Sequence, residues 1–136
     1  LLSPFRMVCG NFILPEPASY VFFYAFSNLR NLLYIIPASR PVIAAKRDNM
    51  DEYDTIFVGF PIWWYIAPTI INTFLESYNL KGKTVITFAT SGGSGMGKTN
   101  EKLTPSCPGA KLLHGKVFNS YSSKADLSAW VETISL

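Results

Sequence analysis

The sequence predicts an α/β domain built on a parallel sheet, and three observations predict it. Two runs, Thr55–Phe60 and Thr84–Ala89, are largely apolar without polar alternation, as strands buried on both faces are. A single helix-length segment, Pro68–Tyr78, separates them. Strand, helix and strand in that space form a βαβ unit, whose crossover makes the strands parallel and brings both following loops to one sheet edge. The third observation is the contrast between those loops. Pro61-Ile-Trp-Trp-Tyr65 offers aromatic faces, and Thr90-Ser-Gly-Gly-Ser-Gly-Met-Gly97 offers bare backbone. Ligands of open parallel sheets bind at the carboxyl ends of strands, and this pair of loops suits a flat aromatic cofactor with polar edges.

The elements follow in order. Tyr20–Phe26 reads as a candidate strand with a turn at Ser27-Asn28, and Leu32–Ile36 as either a strand or a helix, because runs this short carry no decisive period. A seam lies near Ser39: eight of the nine glycines fall at or after Gly59, and the first 38 residues hold one glycine and one acidic residue. Pro41–Met50 reads as a loop or short helix, and Asp51–Asp54 as a polar approach to the first good strand. In Pro68–Tyr78 the apolar residues Ile70, Ile71, Phe74, Leu75 and Tyr78 share one helical face, with Pro68 tolerated in the first turn. Lys81-Gly-Lys83 turns the chain into the second strand. Thr99–Cys107 reads as a short helix, Lys111–Phe118 as a third strand, and Ser122–Ile134 as an amphipathic helix. Ser122 or Ser123 would cap that helix, and Leu127, Trp130, Val131 and Ile134 form its apolar stripe. Alternating strands and helices predict a three-layer α/β sandwich.

Composition bounds the function. At 136 residues, 49% hydrophobic and 15% aromatic, the chain reads as one globular domain, residues 1–136. A net charge of +3 without a dense Lys/Arg run gives no footprint for nucleic acid. The apolar stretch 20–36 is interrupted by Ser27, Asn28, Arg30 and Asn31, short of the ~20 residues of a membrane span, and no leader pattern is visible. Cys9 and Cys107 form neither a metal spacing nor a disulfide framework, so the expectation is a cytoplasmic protein with ordinary semi-buried thiols. Asp48, Asp51, Glu52 and Asp54 are too scattered for a metal site. His114 reads as structural, Lys98, Lys102, Lys111 and Lys116 as a solvated face, and no nucleophile–base pair indicates hydrolysis.

From about Ser39 onward the chain resembles the flavodoxin-like FMN-binding family. The matching text is Tyr53–Trp64 (YDTIFVGFPIWW), Ala67-Pro68, Phe74-Leu-Glu76, Gly82-Lys83, Phe88–Gly95 (FATSGGSG) and Cys107-Pro-Gly-Ala110. The resemblance implies a flavodoxin-like sheet of order 2-1-3-4-5, with FMN at the switch point between strands 1 and 3; the strands recognisable here are then the third, fourth and fifth. It further implies that Pro61, Ile62, Trp63, Trp64 and Tyr65 flank one side of the isoalloxazine ring. Thr90, Ser91, Gly92, Gly93, Ser94 and Gly95 would run along its other side and pyrimidine edge. The physics agrees: aromatic side chains stack on a flat ring, and glycines let backbone N–H groups approach its polar edge. The implied activity is electron transfer or oxidoreduction, with a redox partner protein or a reduced nicotinamide nucleotide as the other party.

The chain departs from that family in three respects. Its members open with a strand and a Ser/Thr-rich, glycine-containing loop that cradles the FMN phosphate. Here the positional counterpart, Ser27-Asn-Leu-Arg-Asn31, has no glycine. Residues 1–38 are therefore expected to replace the family's usual start, leaving the fold altered at its N-terminal strand. The segment Trp63–Ala67 lacks the glycine whose peptide flip favours one-electron reduction in better-known members. Flavodoxins are also commonly acidic, whereas this chain is basic. These departures keep open a degenerate remnant that no longer binds FMN.

A rival motif overlaps the second loop. Gly92–Thr99 (GGSGMGKT) satisfies the phosphate-binding pattern G-x-x-x-x-G-K-[ST] between a strand and a helix. It would place Lys98 on the phosphates and Thr99 on Mg²⁺ in a nucleotide hydrolase. Against it, only 37 residues follow Thr99, the strand Lys111–Phe118 ends without the Asp that would hold the metal, and Pro61–Tyr65 is left unexplained.

Overall fold

The computed structural model describes the backbone of residues 20–24 and, with side chains, residues 38–43, 46–119 and 121–134. Four parallel strands, β1 (Tyr20–Tyr24), β2 (Thr55–Pro61), β3 (Thr84–Thr90) and β4 (Lys111–Phe118), form one sheet in the order β1-β2-β3-β4. α1 (Thr69–Glu76) connects β2 to β3, α2 (Thr99–Leu103) connects β3 to β4, and α3 (Lys124–Glu132) follows β4.

β2 and β3 are central and apolar because both their faces are covered. Ile56, Val58, Phe60, Val85 and Ala89 pack with Ile70, Ile71, Phe74 and Leu75 of α1 and with Leu103 of α2. Two crossovers stepping in the same direction place both helices on that one face. On the other face Phe57, Ile86, Phe88 and Phe118 meet Leu127, Trp130, Val131 and Ile134 of α3. The result is the expected three-layer sandwich. Each of the four α1 side chains is at most 2% exposed, and burial of that kind stabilises by roughly 1.5–3 kcal/mol per residue. α3 buries no residue completely. Its anchor is Trp130, whose ring lies 5.4–6.1 Å from those of Phe57, Phe88 and Phe118, and Ser123 with Asp126 closes a reciprocal capping box. That contact holds the Asp126 carboxyl below its ordinary pKa.

The helices differ from the sequence expectation only at their ends. Pro68 caps α1 instead of entering its first turn, and the segment Thr99–Cys107 is one α-turn continued by a 3₁₀ turn at Thr104–Ser106. Ser106 donates to Glu76, which Arg40 also contacts at 2.8 Å. The Arg40 guanidinium holds the Glu76 carboxyl below its usual pKa against the opposing effect of burial, with Ser106 adding a smaller push in the same direction as Arg40. Cys107 is a buried thiol whose pKa burial raises; Cys9 lies outside the described residues.

β1 falls within the candidate strand Tyr20–Phe26. Tyr20–Tyr24 pairs in parallel with Thr55–Gly59, so it occupies the slot that order 2-1-3-4-5 gives to the first strand. No strand lies on its far side among the described residues. The turn at Ser27-Asn28, the loop Ser27–Asn31 and the segment Leu32–Ile36 lie outside the described residues.

Among the described residues β4 forms the sheet edge beyond β3. Its register against β3 shifts between Ile86 and Phe88, and there Gly115 lies so close to Thr87 that any side chain would strike the Thr87 carbonyl. Asn100 of α2 bridges the irregularity, pairing its Oδ1 with the Thr87 hydroxyl at 2.9 Å and donating Nδ2–H to the Leu113 carbonyl at 2.9 Å. Lys111, His114 and Lys116 project from this edge into solvent.

Candidate functional site

The site begins where β2 and β3 stop. Pro61 and Thr90 are the last paired residues of the two strands, and the pairing runs on into the loops, with the Ile62 N–H donating to the Thr90 carbonyl at 2.9 Å. The two loops therefore leave the sheet side by side.

After Ile62 the chain makes a two-residue hairpin. Trp63 N–H donates to Ile66 O at 2.9 Å and Ile66 N–H to Trp63 O at 3.1 Å. The residues between them, Trp64 and Tyr65, both have positive φ, 51° and 67°. Such turns normally recruit Asn and Gly, because a side chain in the left-handed region crowds its own backbone by about 1–2 kcal/mol. Trp63 packs against the α1-side core. Trp64 and Tyr65 remain 77% and 68% exposed. Two aromatic rings are thus held in solvent on a strained turn, an arrangement typical of ligand clamps.

The second loop is organised by one hydroxyl. Ser91 Oγ accepts from the N–H groups of Gly93 at 3.2 Å and Ser94 at 2.8 Å and shares a hydrogen bond with Ser94 Oγ at 2.7 Å. Gly93, at φ 153°, adopts a backbone that side chains resist. Gly92, Gly93 and Gly95 are exposed, and the amides of Gly92 and Gly95 have no hydrogen-bond partner among the described residues. These two N–H groups can meet the polar edge of a ligand, and added methyls at Gly92 and Gly95 would touch nothing within 4 Å.

Gly97 joins the two loops. A methyl on Gly97 would sit 2.5 Å from the Tyr65 carbonyl oxygen and 3.2 Å from Tyr65 Cβ, and its φ of 54° again favours glycine. Of the residues assigned from sequence, Pro61–Tyr65 and Thr90–Gly95 come together at this one edge. Gly97, which the sequence places in the same bare-backbone loop and in the phosphate-loop pattern, is not among the assigned site residues.

That rival pattern finds little support in the geometry. Two of the amides it would need, Gly93 and Ser94, are taken by Ser91. The Thr99 hydroxyl, which would reach a metal ion, is completely buried and has no partner among the described residues. The motifs Gly82-Lys83 and Cys107–Ala110 meet at the opposite end of the sheet, where Gly82 N–H donates to Gly109 O at 3.0 Å. They are structural turns. Among the described residues no group of three or more His, Cys, Asp or Glu is placed to hold a metal, and no helix is long and apolar enough to cross a membrane.

The comparisons with known proteins agree with this architecture. A candidate flavoprotein from Bacteroides eggerthii superposes with a TM-score of 0.65 at 42% identity, over 74% of this chain and 62% of that one. A second, from Bacteroides uniformis, gives 0.65 at 43% identity, over 71% of this chain and 62% of its own. The chain thus spans less than two thirds of the length of either. No curated protein matches. The flavodoxin family model matches residues 33–134, which takes in β2 to β4, all three helices and both loops of the site. With the sheet order, the layers and that match in agreement, the chain belongs to the flavodoxin family.

Proposed function

We propose that the chain binds FMN noncovalently at the carboxyl edge of β2 and β3 and serves in electron transfer or oxidoreduction. The observation that carries the reading is the hydrogen-bonded junction of the two loops, one bearing exposed aromatic rings and the other unpartnered amides. Trp64 and Tyr65 supply faces on which an isoalloxazine ring stacks. The N–H groups of Gly92 and Gly95 meet its carbonyl and nitrogen edge. Trp63, fixed against the core, holds the base of the turn. When bound, FMN supplies the one- or two-electron chemistry, and the protein supplies orientation and electrostatics. A reduced nicotinamide nucleotide or a redox partner protein is the other party, and the net charge of +3 favours an acidic docking surface on such a protein. The candidate flavoproteins of Bacteroides, similar over most of this chain, support a flavin as the ligand class.

Titration of FMN into the purified chain, read by flavin fluorescence, tests this. Quenching by the wild-type chain is expected, with affinity reduced about tenfold or more in Trp64→Ala, each tenfold being 1.4 kcal/mol. Because Trp64 is 77% exposed, its removal should leave the urea midpoint close to that of the wild type. Absence of quenching refutes the proposal and leaves a flavodoxin-like remnant. ATP·Mg²⁺ binding in the same preparation would revive the nucleotide reading.

A further inference from the structure

The geometry points to Gly97 as the positioning residue that sets the spacing between the aromatic turn and the Gly/Ser loop, through direct contact with the Tyr65 carbonyl. Three observations carry it. The Trp64-Tyr65 turn is held at positive φ without a glycine of its own, so something outside the turn must accommodate the direction in which it throws the Tyr65 carbonyl. The surface that accommodates it is the bare backbone of Gly97, where a methyl would sit 2.5 Å from that oxygen and 3.3 Å from the carbonyl carbon. Gly97 in turn is fixed from behind by the start of α2, whose first residue, Thr99, is fully buried and donates its N–H to Met96 O at 3.1 Å. Met96 itself packs against the same core cluster as Trp63 and Ile62.

Gly97 therefore cannot recede, and a side chain there must push the aromatic turn outward. The Ile62–Thr90 hydrogen bond ties the loops at their base, and the Gly97–Tyr65 contact spaces them further out. This role rests on the flavin reading only for its consequence: the spacing determines whether one ring can meet Trp64 and the Gly92 and Gly95 amides together.

The test is amide hydrogen exchange on the ligand-free chain, combined with FMN titration. In Gly97→Ala the amides of Trp63 and Ile66, which close the turn, should exchange about tenfold faster or more, while core amides of β2 and β3 keep wild-type protection. Gly95→Ala is the control for stiffening the loop, because a methyl there touches nothing within 4 Å; it should leave Trp63 and Ile66 exchange unchanged. In Tyr65→Gly/Gly97→Ala the turn can yield, so the increase should be smaller than in Gly97→Ala. Should Gly97→Ala fail to fold, the same change is read in the Tyr65→Gly background against Tyr65→Gly alone, where faster exchange at Trp63 and Ile66 is still expected. Unchanged exchange at those two amides, in whichever background folds, overturns the inference. FMN affinity in Gly97→Ala should fall about tenfold relative to the wild type, and equal affinity would also overturn it. A wild-type chain that ignores FMN would refute the functional proposal alone, with the exchange data still deciding the role of Gly97.

Discussion

The two loops at the carboxyl edge solve the problem of holding a surface open in contrasting ways. The loop after β3 is relaxed and satisfied from within: glycines take the positions that need unusual backbone, and one serine hydroxyl engages two amides. The loop after β2 is tense and held from without. Its two central residues carry bulky rings in a conformation that suits glycine, and it persists because β-pairing closes its ends and Gly97 accommodates its carbonyl. The difference teaches where each loop is vulnerable. A loop satisfied from within fails when its hub is removed; a strained loop gains stability when its strain is released.

Removing the hub should have the largest effect. Ser91→Ala leaves the Gly93 and Ser94 amides and the Ser94 hydroxyl without their common partner. At roughly 0.5–1.5 kcal/mol per hydrogen bond, partly recovered from water, the loss should be about 1–2 kcal/mol. Urea unfolding measures it, and an unchanged midpoint would mean that the loop does not depend on this hydroxyl. Releasing the strain should act in the opposite direction. Tyr65→Gly removes a left-handed penalty of about 1–2 kcal/mol but adds unfolded-chain entropy, for a net gain of up to about 1 kcal/mol. A fall in the melting temperature would show that the Tyr65 ring contributes more in contacts than its backbone costs. The smallest effect sharpens the contrast between hydroxyls. Thr99 lies eight positions from Ser91, yet its hydroxyl is buried without a partner among the described residues. Thr99→Val should therefore leave stability unchanged or raise it by about 0.5 kcal/mol, since a missing hydroxyl removes only a desolvation cost. A loss above about 1 kcal/mol in thermal unfolding would reveal a bond to that oxygen.

Much of the fold was legible because burial writes itself into the chain. β2 and β3 read as continuous apolar runs, and α1 as a helix by the spacing of Ile70, Ile71, Phe74 and Leu75, the residues that reach the core. Ser123 read as one of two possible caps, and Asp126 three positions later decides between them. β1 was less legible: Tyr20–Phe26 has no alternation, and its place beside β2 depends on long-range pairing that no local pattern encodes. In the site, the identity of both loops was legible from composition, but their mechanics were not. Nothing in the letters Trp64-Tyr65 announces positive φ, since the turn is imposed by the Trp63–Ile66 pairing. Gly97 was obscured by the Lys98-Thr99 that follows it, a pattern that suggests phosphate while the backbone does something else. The Cys107–Ala110 text, prominent in sequence, belongs to a turn at the far end of the sheet.

The outer rim of β4 also has a consequence for the life of the protein at high concentration. An edge strand exposes unpaired backbone groups that invite a neighbour to add its own strand, and repetition of that step yields insoluble fibres. Lys111, His114 and Lys116 stand along this rim, and the kink at Gly115 spoils its flatness. Like-charged lysines brought face to face would repel one another, so each copy discourages the next from zipping on.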